Sequence, residues 1–294
     1  MILTVTLNAA LDITHRVDAL VVHGTNRARD VHQRAGGKGI NVARVLHALG
    51  HDVVVTGLVG DGTGADIRRD LAAAGLRDEL AEIAAESRRT ITIVDGDATV
   101  LNEPGPIVTP DEWLHFVARF RSRAMDADAV ILSGSTPPGW PDAYARLGAA
   151  VRAVAPEVPV LLDASGPALL AGLAARPAVV KPNRAELAEI GASPETLRKR
   201  GAEAVVVSDG AEGLVAVTGE GTWRARPPEV VTGNPTGAGD AVVAALAAGI
   251  RAPWPQRLAD AVALSAAAVL APVAGAFDRA AYERFRAAVS VEEI

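Results

Sequence analysis

The sequence contains no cysteine, few aromatic residues and only three lysines. Without cysteine the chain can form no disulfide and no thiolate metal site, a composition compatible with a reducing cytoplasm. Aromatic residues make up 3% of the chain, which is too few for a surface that stacks nucleic-acid bases. The net charge of −6 and the lack of a basic block also argue against nucleic-acid binding. We therefore expect a cytoplasmic protein whose partners are small molecules.

Long uninterrupted apolar runs are also lacking. The longest run, Ala261–Phe277, is broken by Ser265 and Pro272, so it predicts a buried helix rather than a membrane span. The first residues, Met1–Leu7, lack a basic region and predict a strand rather than a signal peptide. No membrane partner is expected from these patterns.

Apolar strand-like runs alternate with helical patterns along most of the chain. The predicted strands are Ile2–Leu7, Val53–Val59, Ala129–Ser133, Val160–Asp163, Ala178–Lys181 and Ala204–Ser208. The predicted helices are Ile40–Leu49, Ala65–Ala74, Pro110–Met125, Asp142–Ala155, Pro167–Ala174 and Arg184–Ile190. Beyond residue 204 we expect a strand meander followed by three helices. This order predicts a single α/β domain over residues 1–294, with a mostly parallel central sheet flanked by helices on both faces.

Two segments do not fit this alternation. Residues 12–35 contain two polar-alternating runs, and residues 88–103 contain a hairpin pattern around Gly96 and Asp97. We interpret the two segments together as a small β-sheet lid inserted in the α/β core. The alternative is a pair of surface hairpins that do not move.

The glycine-rich loop Asn234–Asp240 opens directly into an apolar helical pattern. Glycines allow backbone N–H groups to converge, and the first N–H groups of a helix lack partners, so Gly237, Ala238 and Gly239 predict an anion site. A carboxylate beside such a site suits a general base that takes a proton from an attacking hydroxyl, which is the role predicted for Asp240. The alternative is an ordinary loop in which Asp240 caps a helix.

A second glycine-rich loop, Ala35–Asn41, also precedes an apolar helix. It is not a Walker A loop, because no serine or threonine follows Lys38. Its N–H donors, its lysine and its asparagine suit a sugar or a phosphate, although a tight turn with a solvated lysine would look the same. A third loop, Gly60–Ala65, matches the dinucleotide pattern, but the acidic residue expected about 20 positions later is missing.

Lys181–Glu186 follows a predicted short strand. Oxygens of Asn183 and Glu186 could hold Mg²⁺ directly or through water. The same Asn-x-x-Glu spacing forms an ordinary capping box, and taken alone the capping box is favoured. His47 and His51 are separated by Gly50, and we expect no metal site there.

Taken together, these loops resemble the ribokinase-like (PfkB) family of carbohydrate kinases, and most of all its branch of 1-phosphofructokinases and tagatose-6-phosphate kinases. Each motif is weak alone, but ten occur in family order over essentially the whole chain. They are Thr6–Asp12, Asn26–Arg27, Gly36–Arg44, Gly60–Gly64, Asn102–Pro106, Ser133–Gly139, Leu162–Gly166, Lys181–Glu186, Val207–Gly210 and Asn234–Asp240.

The resemblance implies a ribokinase-like three-layer core with a β-lid, and it implies roles for particular residues. Asp240 resembles the catalytic base, and Gly237–Gly239 resemble the anion hole. Asp12, Gly37 and Asn41 match family positions that bind the sugar hydroxyls. Arg27, Lys38 and Arg88 match family positions that bind the substrate's own phosphate. The positions that match the family's nucleotide-binding residues are Lys181, Asn183, Ser208, Gly210 and Gly213. Asn183 and Glu186 match the family's magnesium-related motif.

The activity implied by the resemblance is transfer of a phosphoryl group from ATP, with Mg²⁺, to a phosphorylated ketohexose. Fructose 1-phosphate is the favoured acceptor, and tagatose 6-phosphate or fructose 6-phosphate is the alternative. A kinase for an unphosphorylated sugar or nucleoside would not need the predicted cations, and a catalytically inactive sensor would not need Asp240. The resemblance is also compatible with a homodimer formed through the lid.

Overall fold

The computed structural model describes all 294 residues of the chain. The helices are α1 (Lys38–Ala48), α2 (Asp61–Ala73), α3 (Pro110–Ala124), α4 (Ala143–Val154), α5 (Gly166–Gly172), α6 (Arg184–Glu189), α7 (Pro194–Lys199), α8 (Ala238–Ala248), α9 (Trp254–Val269) and α10 (Arg279–Arg286). The strands are β1 (Ile2–Thr6), β2 (Ala10–Arg16), β3 (Asp30–Gly36), β4 (Val53–Gly60), β5 (Arg77–Asp78), β6 (Ala81–Ile83), β7 (Arg88–Val94), β8 (Ala98–Asn102), β9 (Ala129–Ser133), β10 (Val160–Asp163), β11 (Val179–Val180), β12 (Val205–Ser208), β13 (Leu214–Val217), β14 (Thr222–Arg226) and β15 (Ser290–Glu293).

The central sheet has 11 strands in the order β15-β14-β13-β12-β11-β10-β9-β1-β4-β5, with β6 paired to β4. Pairing is parallel from β12 through β5 and antiparallel from β12 to β15. The predicted mostly parallel sheet is confirmed. Because β1 and β9 to β12 run in the same direction, residues at their carboxyl ends meet along one edge of the sheet.

Two apolar layers cover the two faces of this sheet. One buried cluster of 39 residues combines the sheet with α1, α2, α8 and α9, and includes Ile40, Ile67 and Leu246. The other cluster of 31 residues combines it with α3, α4 and α5, and includes Phe116 and Leu147. Strands buried on both faces require nearly continuous apolar sequence, which is the pattern that predicted them. None of the helices combines the length and the apolar character needed to cross a bilayer.

A separate four-stranded sheet stands beside the core in the order β3-β2-β7-β8. Strand β2 pairs antiparallel with β3 but parallel with β7, and β7 and β8 form the predicted hairpin. The two segments predicted for the lid thus form one sheet. Its movement stays a prediction.

Several boundaries differ from the sequence prediction. The apolar run Ala261–Phe277 is not one helix, because α9 ends at Val269 and residues 270–278 form a loop before α10. The chain does not close on three helices, since Ser290–Glu293 adds an edge strand beside β14. The short strands β5 and β6 and the helix α7 were not predicted. Each is at most six residues long, too short for a periodic signal.

Candidate active site

The loop before α8 places unpaired backbone donors at the start of this helix. Gly237 is the N-cap residue, with φ of 87°. A Cβ on Gly237 would lie 2.8 Å from Cα of Ala274, so the close approach of the two segments requires glycine. The backbone N–H groups of Gly237, Gly239 and Asp240 donate to no acceptor within the protein. These are the features that an anion site needs.

Asp240 lies in the first turn of α8 and is 6% exposed. Asn41 reaches it from the first turns of α1, and Nδ2 of Asn41 donates to Oδ2 of Asp240 over 2.8 Å. Gly37, the N-cap of α1, has φ of 108° and starts the helix that positions Asn41. Burial, together with the negative charge of Asp163, raises the pKa of Asp240 to about 7, although the hydrogen bond from Asn41 opposes the shift. Asp240 can therefore change its protonation state near neutral pH, as a general base requires.

Asp163 anchors two lysines at the carboxyl edge of the sheet. Its side chain is 1% exposed and lies 3.3 Å from Nζ of Lys38 and 3.2 Å from Nζ of Lys181. Oγ of Ser133 donates to its second oxygen over 3.2 Å. Burial would raise the pKa of Asp163, but Lys181 and Lys38 hold it below its usual range. The Nζ atom of Lys181 also lies 3.5 Å from the place of a Cβ on Gly239, so the lysine faces the anion loop.

Asn183 and Glu186 form a capping box at the start of α6. Oδ1 of Asn183 accepts the N–H of Glu186, and Oε2 of Glu186 accepts the N–H of Asn183, each over 2.8 Å. The remaining oxygen of Glu186 lies 3.8 Å from Nζ of Lys38. No group of three or more histidine or acidic side chains could hold a metal ion. The structure therefore shows Asn183 and Glu186 as a capping box, and a magnesium role for the pair stays a prediction.

Three of the predicted nucleotide residues line one cavity with the anion loop, whereas Lys181 and Asn183 do not line it. This cavity has a volume of about 360 Å³ and includes Ser208 at the end of β12 and both Gly210 and Gly213 of the following turn. Ala238 and Gly239 line the same cavity, whose far wall consists of apolar side chains of α8 and α9. A mostly apolar slot that ends at unpaired N–H groups has the form expected of a site for a base and its phosphates.

Asp12 lies on strand β2 of the lid sheet. It lies opposite Arg34 of β3 and Thr90 of β7, and Arg88 occupies the same face two residues before Thr90. Burial raises the pKa of Asp12, while a hydrogen bond from Thr90 and the charge of Arg88 offset part of the effect. A Cβ on Gly36 would lie 1.9 Å from Oδ2 of Asp12, so glycine leaves the room that this carboxylate occupies.

The three predicted phosphate-binding cations have different partners in the structure. Arg88 lies beside Asp12, and Nε of Arg88 donates to the backbone oxygen of Asn8, whereas Lys38 pairs with Asp163. Arg27 lies before the start of β3. The part of β3 between Arg34, which faces Asp12, and Asp30 is about 13 Å long, and Arg27 lies beyond Asp30. Arg27 therefore belongs to the far end of the lid, and its contact with a substrate stays a prediction.

Two residues of the site were missed by the sequence analysis. Asp163 was noted only as part of a motif, although its place at the end of a predicted buried strand was a usable signal. Arg34 was not singled out at all. Its side chain shares the polar face of the lid with Asp12 and Arg88, and only the register of β2 and β3 reveals this.

Comparisons with known proteins agree with this geometry. The family described as "pfkB family carbohydrate kinase" matches residues 5–278. Phosphofructokinase-2 of Escherichia coli, solved in complex with potassium, is 27% identical with a TM-score of 0.88, and the match covers 97% of this chain and 98% of that one. A "possible 1-phosphofructokinase" of Thermotoga maritima is 28% identical with a TM-score of 0.88, over 100% and 99% of the two chains. Because the family model matches most of its length, the chain belongs to the pfkB family of carbohydrate kinases.

Proposed function

We propose that the protein transfers the γ-phosphoryl group of ATP to a hydroxyl of a phosphorylated ketohexose, with fructose 1-phosphate converted to fructose 1,6-bisphosphate. Tagatose 6-phosphate or fructose 6-phosphate is the alternative acceptor. The observation that carries the proposal is the buried Asp240 carboxylate, which accepts a hydrogen bond from Asn41 and lies at a helix start with unpaired N–H groups.

In the proposed reaction, Asp240 accepts the proton of the attacking hydroxyl as the oxygen–phosphorus bond forms. Asn41 holds the carboxylate by its hydrogen bond and so orients the accepting oxygen. The N–H groups of Gly237 and Gly239 donate to the oxygens of the transferring group, where negative charge is concentrated. Transfer then leaves ADP in the nucleotide cavity and a proton on Asp240.

Lys38 and Lys181 supply positive charge beside the anion loop. Asp163 keeps both ammonium groups close to the loop. Burial alone would lower the pKa of Lys38, but the charges of Asp163 and Glu186 raise it above its usual value. When Mg²⁺ is bound, it neutralises phosphate charge. Because the protein has no cluster that could hold the ion alone, Mg²⁺ would arrive with the triphosphate, and oxygens of Asn183 and Glu186 would help to hold it.

The preference for a phosphorylated acceptor rests on the cations of the lid face. Arg88 and Arg34 flank Asp12, and both are partly buried, which strengthens their interaction with a phosphate. A neutral sugar needs a hydroxyl acceptor such as Asp12 but not two arginines. The Escherichia coli relative has been solved in complex with fructose 6-phosphate, at 26% identity and a TM-score of 0.85.

A substrate panel tests this proposal directly. ADP release is measured with fructose 1-phosphate, fructose 6-phosphate, tagatose 6-phosphate, free fructose and a nucleoside. We expect phosphorylated ketohexoses to be the good substrates, and Arg88→Gln to raise their KM by about 10- to 100-fold with a much smaller effect on the KM for ATP. The control is Arg29→Gln, which removes an exposed arginine at the far end of the lid. Equal turnover of free and phosphorylated sugars would contradict the phosphate assignment.

The lid also supports a homodimer as part of the proposal. Val31 and Leu101 occupy one face of the lid sheet and are 47% and 52% exposed. Another structure of the Escherichia coli relative is a tetramer, at 27% identity and a TM-score of 0.88. Sedimentation of Val31→Asp against the unmodified protein tests the dimer, since a buried charge would dissociate it. An unmodified protein that sediments as a monomer would exclude this interface.

A further inference from the structure

A second cavity, of about 270 Å³, lies along the C-terminal half of α1. Four basic side chains line it, namely Arg34, Arg44, His47 and Arg279, and no acidic side chain does. We refer to it as the basic cavity. It contains neither Asp240 nor Asp12, and it is separate from the nucleotide cavity.

The positive charge of the basic cavity is only partly neutralised. Arg44 is 8% exposed, and one of its terminal nitrogens pairs with Asp70, whose same oxygen also accepts the N–H of Ala35. Its Nε atom is buried without any hydrogen-bond partner. Burial and the neighbouring charge of Arg44 lower the pKa of Arg34, although the charges of Asp70 and Asp12 oppose the shift. A chain with a net charge of −6 thus concentrates arginines here, with Asp70 and Asp12 as the neighbouring carboxylates.

The backbone adds further donors to the same cavity. Gly275, Ala276 and Phe277 line it, and their three consecutive N–H groups donate to no acceptor in the protein. Arg279 completes this wall, lying over the ring of Phe277 and donating to the backbone oxygen of Ala48 at the end of α1. Consecutive N–H groups beside arginines are typical of sites for compact oxyanions such as phosphate.

The basic cavity is mechanically connected to the anion loop. Nη1 of Arg34 donates to the backbone oxygen of Ala274 over 2.8 Å. Ala274 packs directly against Gly237, the N-cap of α8, and Gly275 packs against Cα of Asn41. An anion that draws Arg34 toward itself would therefore act on the segment that fixes both the start of α8 and the residue that orients Asp240.

We propose that the basic cavity is a regulatory site that binds the phosphate group of a small metabolite. The arginines and the free N–H groups hold the phosphate, and Arg34 transmits its presence through Ala274 to the anion loop. The basic cavity is separate from the nucleotide cavity but shares Arg34 with the proposed acceptor site, so the binding test relies on Arg279, which lines the basic cavity alone. That measurement does not depend on which sugar the enzyme phosphorylates.

Thermal unfolding with inorganic phosphate as the probe tests binding. Phosphate is titrated at constant ionic strength into four proteins, the unmodified enzyme and its Arg279→Gln, Arg284→Gln and Arg88→Gln variants. Arg284 is the matched control, since it also lies on α10 over a phenylalanine ring. We expect a saturable rise in Tm, with the apparent Kd raised at least about tenfold only in Arg279→Gln.

Several results would overturn the proposal. The proposal fails if phosphate causes no saturable rise in Tm, or if Arg279→Gln retains the rise. It also fails if Arg88→Gln abolishes the rise, because phosphate would then bind in the sugar site. Hydrogen–deuterium exchange should show that phosphate protects residues 274–279 in the unmodified protein but not in Arg279→Gln. The regulatory role further requires that phosphate, at saturating substrates, changes kcat in the unmodified enzyme and in Arg284→Gln but not in Arg279→Gln. An unchanged kcat with phosphate bound would overturn that role.

Discussion

The pH dependence of turnover should be set by Asp240. Burial and the charge of Asp163 raise its pKa from 3.8 to about 7, which corresponds to roughly 4 kcal/mol against the ionised carboxylate. A general base works only when it is ionised. We therefore expect kcat/KM to fall about tenfold for each pH unit below 7, so that about 1% remains at pH 5.

Asp163→Asn provides the decisive perturbation. Removing its charge takes away the like charge that disfavours ionised Asp240, while Lys38 and Lys181 stay nearby. We expect the midpoint of the acidic limb to move to lower pH by about one unit. Ser133→Ala is the matched control, because it removes a hydrogen bond to Asp163 but no charge, and it should leave the midpoint in place.

The assay is ADP release between pH 5 and 9 at constant ionic strength, after the Tm of each variant has shown that it is folded. The phosphate of the acceptor also titrates near pH 6, but it does so equally with all three proteins, so only the difference between them is interpreted. An acidic limb with the same midpoint in Asp163→Asn would refute the electrostatic reasoning. A loss of less than about 100-fold in kcat for Asp240→Asn would refute its role as the base.

Local sequence patterns predicted the central sheet well. The strands Ala129–Ser133 and Val160–Asp163 were predicted to the residue, because each is a continuous apolar run bounded by loop residues. The edge strand β15 could not be predicted in this way. Its sequence is polar, and what makes it a strand is pairing with β14, which lies more than 60 residues earlier in the chain.

The candidate site shows the same division between local and tertiary information. Glycine-rich loops and helix starts are local features, and they led to Asp240 and Asn41, which the structure joins by a hydrogen bond. The pairing of Asp163 with two lysines depends on which strands are neighbours, and the place of Arg34 depends on strand register. Neither the order of the strands in the sheet nor their register can be inferred from the spacing of residues along the chain.

Three further predictions concern the loop, the lid and the stability of the protein. Gly237→Ala should destabilise the fold by about 1–3 kcal/mol, because the φ of Gly237 is 87° and a Cβ would lie too close to Cα of Ala274. Gly239→Ala should leave Tm nearly unchanged but lower kcat about tenfold or more, because its methyl group would enter the anion hole. Binding of the sugar phosphate should protect residues 12–35 and 88–103 from hydrogen exchange, and equal exchange with and without it would contradict a closing lid. The last prediction follows from linkage. Because folding raises the pKa of Asp240, the native state keeps a proton that the unfolded chain loses above about pH 4, so stability falls as the pH rises toward 7. Asn cannot ionise, and the stability advantage of Asp240→Asn in urea unfolding should therefore grow from pH 4 to pH 7, by up to roughly 4 kcal/mol, and stay level above it. A constant difference across that range would show that the carboxylate ionises as easily in the folded protein as in the unfolded chain.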